Sequence, residues 1–100
     1  MFEVNSIVIN VDAARKYLQE HERKLEKMRR KYIKQLCKDI KREAKRGSKV
    51  IYTKTLRESF MTYEYMMELK EYFEKQGFTV KEEGNNHGAL TSWLEIRWGN

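Results

Sequence analysis

The spacing of apolar residues changes period along the chain, and each change marks an element. Phe2, Val4, Ile7, Val8 and Ile9 give residues 2–9 the β-branched, apolar character of a short strand. From residue 11 the period lengthens. Val11, Ala14, Leu18, His21, Leu25, Met28 and Tyr32 alternate spacings of three and four, a heptad seam. Beyond it the apolar face passes to Ile33, Leu36, Cys37, Ile40 and Ala44. Asn10 suits a cap, Asp12 suits the N-terminal dipole, and Gly47 suits a stop. The pattern therefore predicts one helix over 11–46, on the order of 50 Å long. Such a helix overruns so small a domain. Its C-terminal half is expected on a sheet, and its N-terminal half to project, fold back on a second helix or pair with another copy.

Residues 49–53, KVIYT, read as the next strand. Thr55 and Glu58 carry a capping-box signature, which predicts a second helix from 55 to 76, stopped by Gly77. That helix has two apolar stripes, Leu56-Phe60-Tyr63-Met67 and Met61-Tyr65-Leu69-Tyr72, so burial on a second side is expected. FTVKEE (78–83) and LTSWLEIRW (90–98) alternate as strands around the turn-rich GNNHG (84–88), an antiparallel hairpin over 78–98. The order β-α-β-α-β-β implies a single α+β domain over 1–100. Both helices are expected on one face of a small, mainly antiparallel sheet.

The capped, charged first helix, the junctions IKREAKRGSKVIYT and LKEYFEKQGFTVKEE, and the closing LEIRW resemble a loose class of small accessory proteins of tailed phages. The likeness runs over nearly the whole chain, although the lysine- and arginine-rich helix departs from the mixed-charge helix usual there. The resemblance implies a dispensable early protein that acts on host or defence machinery by binding.

Charge sharpens the picture. The net charge is +6, yet residues 23–49 hold thirteen of the 21 Lys and Arg and three of the 15 acids, Glu26, Asp39 and Glu43. Within that segment Lys24, Lys27, Lys31, Lys34, Lys38, Lys41 and Lys45 recur every three or four residues. They line about 32 Å of one helix face, opposite Ile33, Leu36 and Ile40. The solvated back of an amphipathic helix would account for such a stripe, but solvated faces normally mix signs to gain i,i+4 pairs. Here Lys27/Lys31, Arg30/Lys34, Lys34/Lys38 and Lys38/Arg42 are like pairs. They point to a polyanionic partner, the backbone of nucleic acid or an acidic protein surface. Lysine acts as a point charge, so the stripe, flanked by Arg30 and Arg42, is expected to bind phosphate with little sequence preference and strong salt dependence.

Two further surfaces stand out. Trp93, Arg97 and Lys81 are expected on one sheet face, as a stacking or ligand platform unless a helix or the first strand covers Trp93. Leu18, Leu25, Met28 and Tyr32, with Tyr65 and Leu69, are the expected seam of a homodimer.

The sequence assembles no catalytic constellation, and no enzyme, metal or cofactor is expected. Cys37 is the one cysteine, which rules out a disulfide within the chain, and its apolar neighbours predict a small core residue. His21 has Leu25 four positions on, His87 sits in the turn, and no Cys/His spacing fits zinc. Gly84 and Gly88 precede no helix that would hold a phosphate. No apolar run reaches the roughly 18 residues of a membrane span, and MFEVNSIVIN lacks the basic start of a signal peptide. A reducing, cytoplasmic setting is expected. Besides polyanion binding, two other roles fit: an oligomeric sponge for a small phosphorylated or cyclic-nucleotide signal, and a minor structural protein of a virion.

Overall fold

A computed structural model describes residues 9–84 and 90–99. The elements are α1 (Val11–Lys45), β1 (Val50–Tyr52), α2 (Tyr63–Lys75), β2 (Thr79–Glu83) and β3 (Trp93–Arg97). Asn10 takes extended backbone, and its Oδ1 accepts from the Ala13 N–H at 2.8 Å, which satisfies an otherwise orphaned donor at the start of α1. At the far end Gly47, with φ 89°, turns the chain into the left-handed region. Its N–H then reaches the Ala44 carbonyl at 3.0 Å, and the Ser48 N–H reaches Glu43 at 2.9 Å. Gly77 ends α2 in the same way, and the Phe73 and Phe78 rings meet edge-on at 5.6 Å across that turn.

The three strands form one antiparallel sheet in the order β1-β3-β2. The C-terminal strand is therefore central, and β1 and β2 run parallel on either side of it, linked through α2. Ile51, Ile96 and Val80 share one row of the register and, with Leu94, face the core. The edges are blunted. β1 is only three residues long, and β2 carries Lys81, Glu82 and Glu83. Beyond β1 a side chain continues the ladder: the Thr53 hydroxyl accepts from the buried Leu94 N–H at 2.8 Å, while the Thr53 N–H donates to the Leu94 carbonyl at 2.9 Å. The molecule is α+β as expected, but with three strands among the described residues. The strand expected at 2–9 lies outside them except for Ile9, which is exposed and belongs to no strand.

The second helix starts later than its capping-box signature suggests. Residues 56–60 form turns, and Thr62 is the true cap, its Oγ1 accepting from Tyr65 N–H at 3.2 Å. The cause is tertiary. The Arg29 guanidinium donates through Nε to the Phe60 carbonyl at 3.0 Å, and Phe60 and Met61 are both buried. The turn carries Phe60 and Met61 into the core together. α2 itself then needs one buried face, made by Tyr65, Met66, Leu69 and Phe73. Tyr72, expected on a buried stripe, is exposed.

α1 meets the body along a narrow stripe. Leu36 is its buried residue, and Leu25, Tyr32, Ile33 and Ile40 pack partly against the same core. Cys37 lies one position round from Leu36 and is exposed, which corrects the reading of it as a core residue. Tyr65 pins α2 to α1 by donating its hydroxyl proton to the Arg29 carbonyl at 2.8 Å. Burial pushes that hydroxyl up to about 12, with the neighbouring Tyr32 adding to the rise and Arg29 opposing it. Its unfolded value is 10.0. Between the two values the folded chain holds the proton more tightly, so stability contributed by Tyr65 is present below pH 10 and declines as pH climbs towards 12. Tyr65→Phe is expected to lose roughly 1 kcal/mol near neutrality, the scale of one hydrogen bond. That deficit shrinks as the wild type ionises; urea unfolding of both proteins on either side of pH 10 reads it.

Candidate polyanion interface

α1 positions the lysines by periodicity alone. A 35-residue helix without glycine or proline keeps its phase, so spacings of three and four hold Lys24 to Lys45 on one side. All seven are exposed. None of them makes an ion pair among the described residues, and the reason lies in where the acids point. Glu26 holds Arg30 at 2.6 Å, Asp39 holds Arg42 at 3.2 Å, and Glu43 takes Arg42 at 3.3 Å and Arg46 at 3.4 Å. The three carboxylates of the basic segment thus serve arginines beside the ridge. Two of those of α2 serve their own helix, Glu74 with Lys70 at 2.9 Å and Glu71 with Lys75 at 3.1 Å. The ridge is left as a row of ammonium groups in water. Of the two arginines expected to support it, Arg30 and Arg42 are both exposed but already paired.

The structure separates the other expected sites. Among the described residues no helix covers the outer sheet face, because both helices contribute to the core on the opposite face. Trp93 is half-buried there, Lys81 stands across from Glu95, and Arg97 is held by Glu95 at 3.4 Å. Acid is therefore built into that face, and it is less cationic than Trp93, Arg97 and Lys81 alone suggest. The expected seam also divides. Leu18 and Met28 are exposed, Leu25 and Tyr32 lean on the core, and Tyr65 and Leu69 are inside it. Tyr65 and Leu69 therefore belong to no seam between copies, since α2 spends its apolar face on the sheet.

No family of known proteins, no curated protein and no solved structure matches this chain. The ridge has to be judged on its own geometry.

A groove beside it was not legible in the sequence. Met28, Lys31, Tyr32, Gln35, Lys54 and Phe60 line a shallow, open groove of about 290 Å³ where α1 crosses the loop after β1. Tyr32 and Phe60 form its aromatic wall, ring centroids 5.1 Å apart, and the Tyr32 hydroxyl accepts from the Lys54 N–H at 2.7 Å. Burial raises the Tyr32 hydroxyl above its ordinary value, so it stays protonated. Lys31 belongs to both the groove and the ridge. A second groove of about 290 Å³, lined by Cys37, Ile40, Tyr72, Phe73, Gln76 and Phe78, lies between the two helices. Among the described residues no group of three His, Cys, Asp or Glu side chains is gathered to hold a metal ion, and no helix is long and apolar enough to cross a membrane. His87 lies outside the described residues.

Proposed function

We propose that this protein binds the phosphate backbone of nucleic acid through the lysine ridge of α1, with little sequence preference. The observation that carries the reading is that seven exposed ammonium groups share one face while the three carboxylates of the basic segment, Glu26, Asp39 and Glu43, are engaged by arginines. Six like i,i+4 pairs, the four named above with Lys41/Lys45 and Arg42/Arg46, oppose the helix by roughly 1 to 3 kcal/mol in total, and a bound polyanion removes that repulsion. The ridge, about 32 Å long, matches one turn of duplex, roughly 34 to 36 Å. Lysine at these positions reads charge rather than base edges. The resemblance to accessory proteins of tailed phages supports a role in disturbing a host or defence complex that contains nucleic acid.

Anisotropy titration against labelled duplex and single-stranded DNA over a range of salt tests this. Contacts to about five phosphates give a log–log slope near −4 to −5 on duplex, a loss of several hundred-fold or more for a fourfold rise in salt. Absence of binding at low salt overturns the reading and leaves an acidic protein surface as the partner.

A further inference from the structure

We infer that the free N-terminal part of α1 pairs antiparallel with the same segment of a second copy. The first α1 residue packed on the core is Leu25, so residues 11–24 overhang the body by about 20 Å. The overhang accounts for the 66 × 27 × 21 Å shape of the molecule. It is not polar all round. Val11 and Leu18 are 61% and 55% exposed, Met28 at the body's edge is 42% exposed, and Ile9 just before the helix is 56% exposed. Val11, Ala14, Leu18 and His21 lie on the same side of α1 as Leu25 and Leu36. The apolar stripe thus continues straight past the end of the surface that covers it.

Two features choose the partner and its direction. From Tyr32 onward the chain's own body fills the seam side of α1, whereas Leu25 is only partly covered and Met28 is exposed. A parallel partner would bring a second body into that same space, whereas an antiparallel one puts the two bodies at opposite ends. Charge then fixes the register. With Leu18 opposite the partner's His21, Ala14 faces the partner's Leu25 and Val11 faces the partner's Met28. The flanking positions set Arg15 against the partner's Glu22, twice by symmetry. Both are exposed, and neither makes an ion pair within its own chain among the described residues. The same register carries Val11 to the mouth of the groove formed by the partner's Met28, Lys31, Tyr32, Lys54 and Phe60, an apolar-walled opening of about 290 Å³. A parallel register would instead set Lys24 against the partner's Arg29.

The pairing has a consequence that rests on the polyanion reading, although the dimer itself does not. The lysine ridge lies roughly 130° around α1 from the seam. The twofold axis stands perpendicular to the helix pair, so both ridges turn to one side of it. Together they run on the order of 75 Å, about two turns of duplex, where one copy spans about one.

Cys37 is the chain's one cysteine and is exposed, so it takes a spin label without further change. In the antiparallel dimer the two labels stand on the order of 50 Å apart, and a pulsed electron-resonance measurement on the protein without nucleic acid reads that separation. A much shorter distance, or none between copies at concentrations where sedimentation is followed, overturns the proposal. Arg15→Glu and Glu22→Arg each weaken the dimer on the order of tenfold by sedimentation, and the double variant recovers it. Failure of the double variant to recover would sink this register. Because none of these readouts includes nucleic acid, they stand or fall apart from the titration above.

Discussion

Replacing Lys31, Lys34, Lys38 and Lys41 together by glutamine lowers affinity for duplex by at least about a hundredfold at low salt and flattens its salt slope by about 3 to 4. It also makes the protein more stable. Both effects come from one cause. Each lysine that meets a phosphate releases condensed counterions, so four fewer contacts remove most of the electrostatic attraction. In the unbound protein the same four take part in the like pairs Lys27/Lys31, Arg30/Lys34, Lys34/Lys38, Lys38/Arg42 and Lys41/Lys45. Five such pairs oppose the helix by roughly 0.2 to 0.5 kcal/mol each, and glutamine is nearly as good a helix former as lysine. The substitution is therefore expected to raise unfolding stability by about 1 to 2 kcal/mol. Anisotropy titration measures the first change and urea unfolding the second. A solvated face with no partner would give the stability gain without any binding to lose. A ridge needed for folding would give the opposite sign of stability change.

How far these features can be read from the sequence depends on the range of the interaction behind them. α1 is legible because its determinants are local: a cap at Asn10, an unbroken run of helix formers, and Gly47 where a positive φ is needed. The hairpin is legible for the same reason, as alternation in LTSWLEIRW already separates Ser92, Leu94 and Ile96 from Trp93, Glu95 and Arg97. The start of α2 is not. Thr55 and Glu58 carry the stronger local signal, and Thr62 prevails because Arg29 holds the Phe60 carbonyl from 31 residues away. Cys37 is misread for a related reason. Its neighbours one turn away, Ile33 and Ile40, are apolar, but the body covers only a strip of α1 centred on Leu36.

The site divides in the same way. Spacing alone places the seven lysines on one face, and the sequence counts three acids nearby. It cannot assign those acids. Glu26, Asp39 and Glu43 sit off the lysine face, and each is taken by an arginine. Arginine wins because its fork meets a carboxylate through several donors in a fixed plane, where lysine offers a single mobile charge. In the basic segment Arg30, Arg42 and Arg46 close local pairs, while the seven ridge lysines remain open to solvent.

Leu36→Ala destabilises the fold by about 2 to 5 kcal/mol, whereas Leu18→Ala changes the stability of the single chain by less than about 0.5 kcal/mol. The two leucines stand five helical turns apart and so point the same way from α1. Periodicity treats them alike. Their surroundings differ entirely, since Leu36 is 2% exposed in the core cluster and Leu18 is 55% exposed on the overhang. Truncating Leu36 leaves a cavity between α1 and the sheet at the one α1 side chain that is fully inside. A domain of 100 residues commonly has only 5 to 15 kcal/mol of stability, so that loss unfolds a measurable fraction at 37 °C. Leu36→Ala also loosens the attachment of the ridge to the body, so nucleic-acid binding by the fraction that stays folded becomes a test of how the ridge works. If the lysines act through α1 alone, the folded fraction binds as the wild type does, once corrected for unfolded chain. Circular dichroism during urea unfolding gives the first quantity and titration at low denaturant the second. Equal losses for Leu18→Ala and Leu36→Ala in the unfolding experiment would mean that the body covers α1 along its whole length, and the overhang with its pairing surface would not exist.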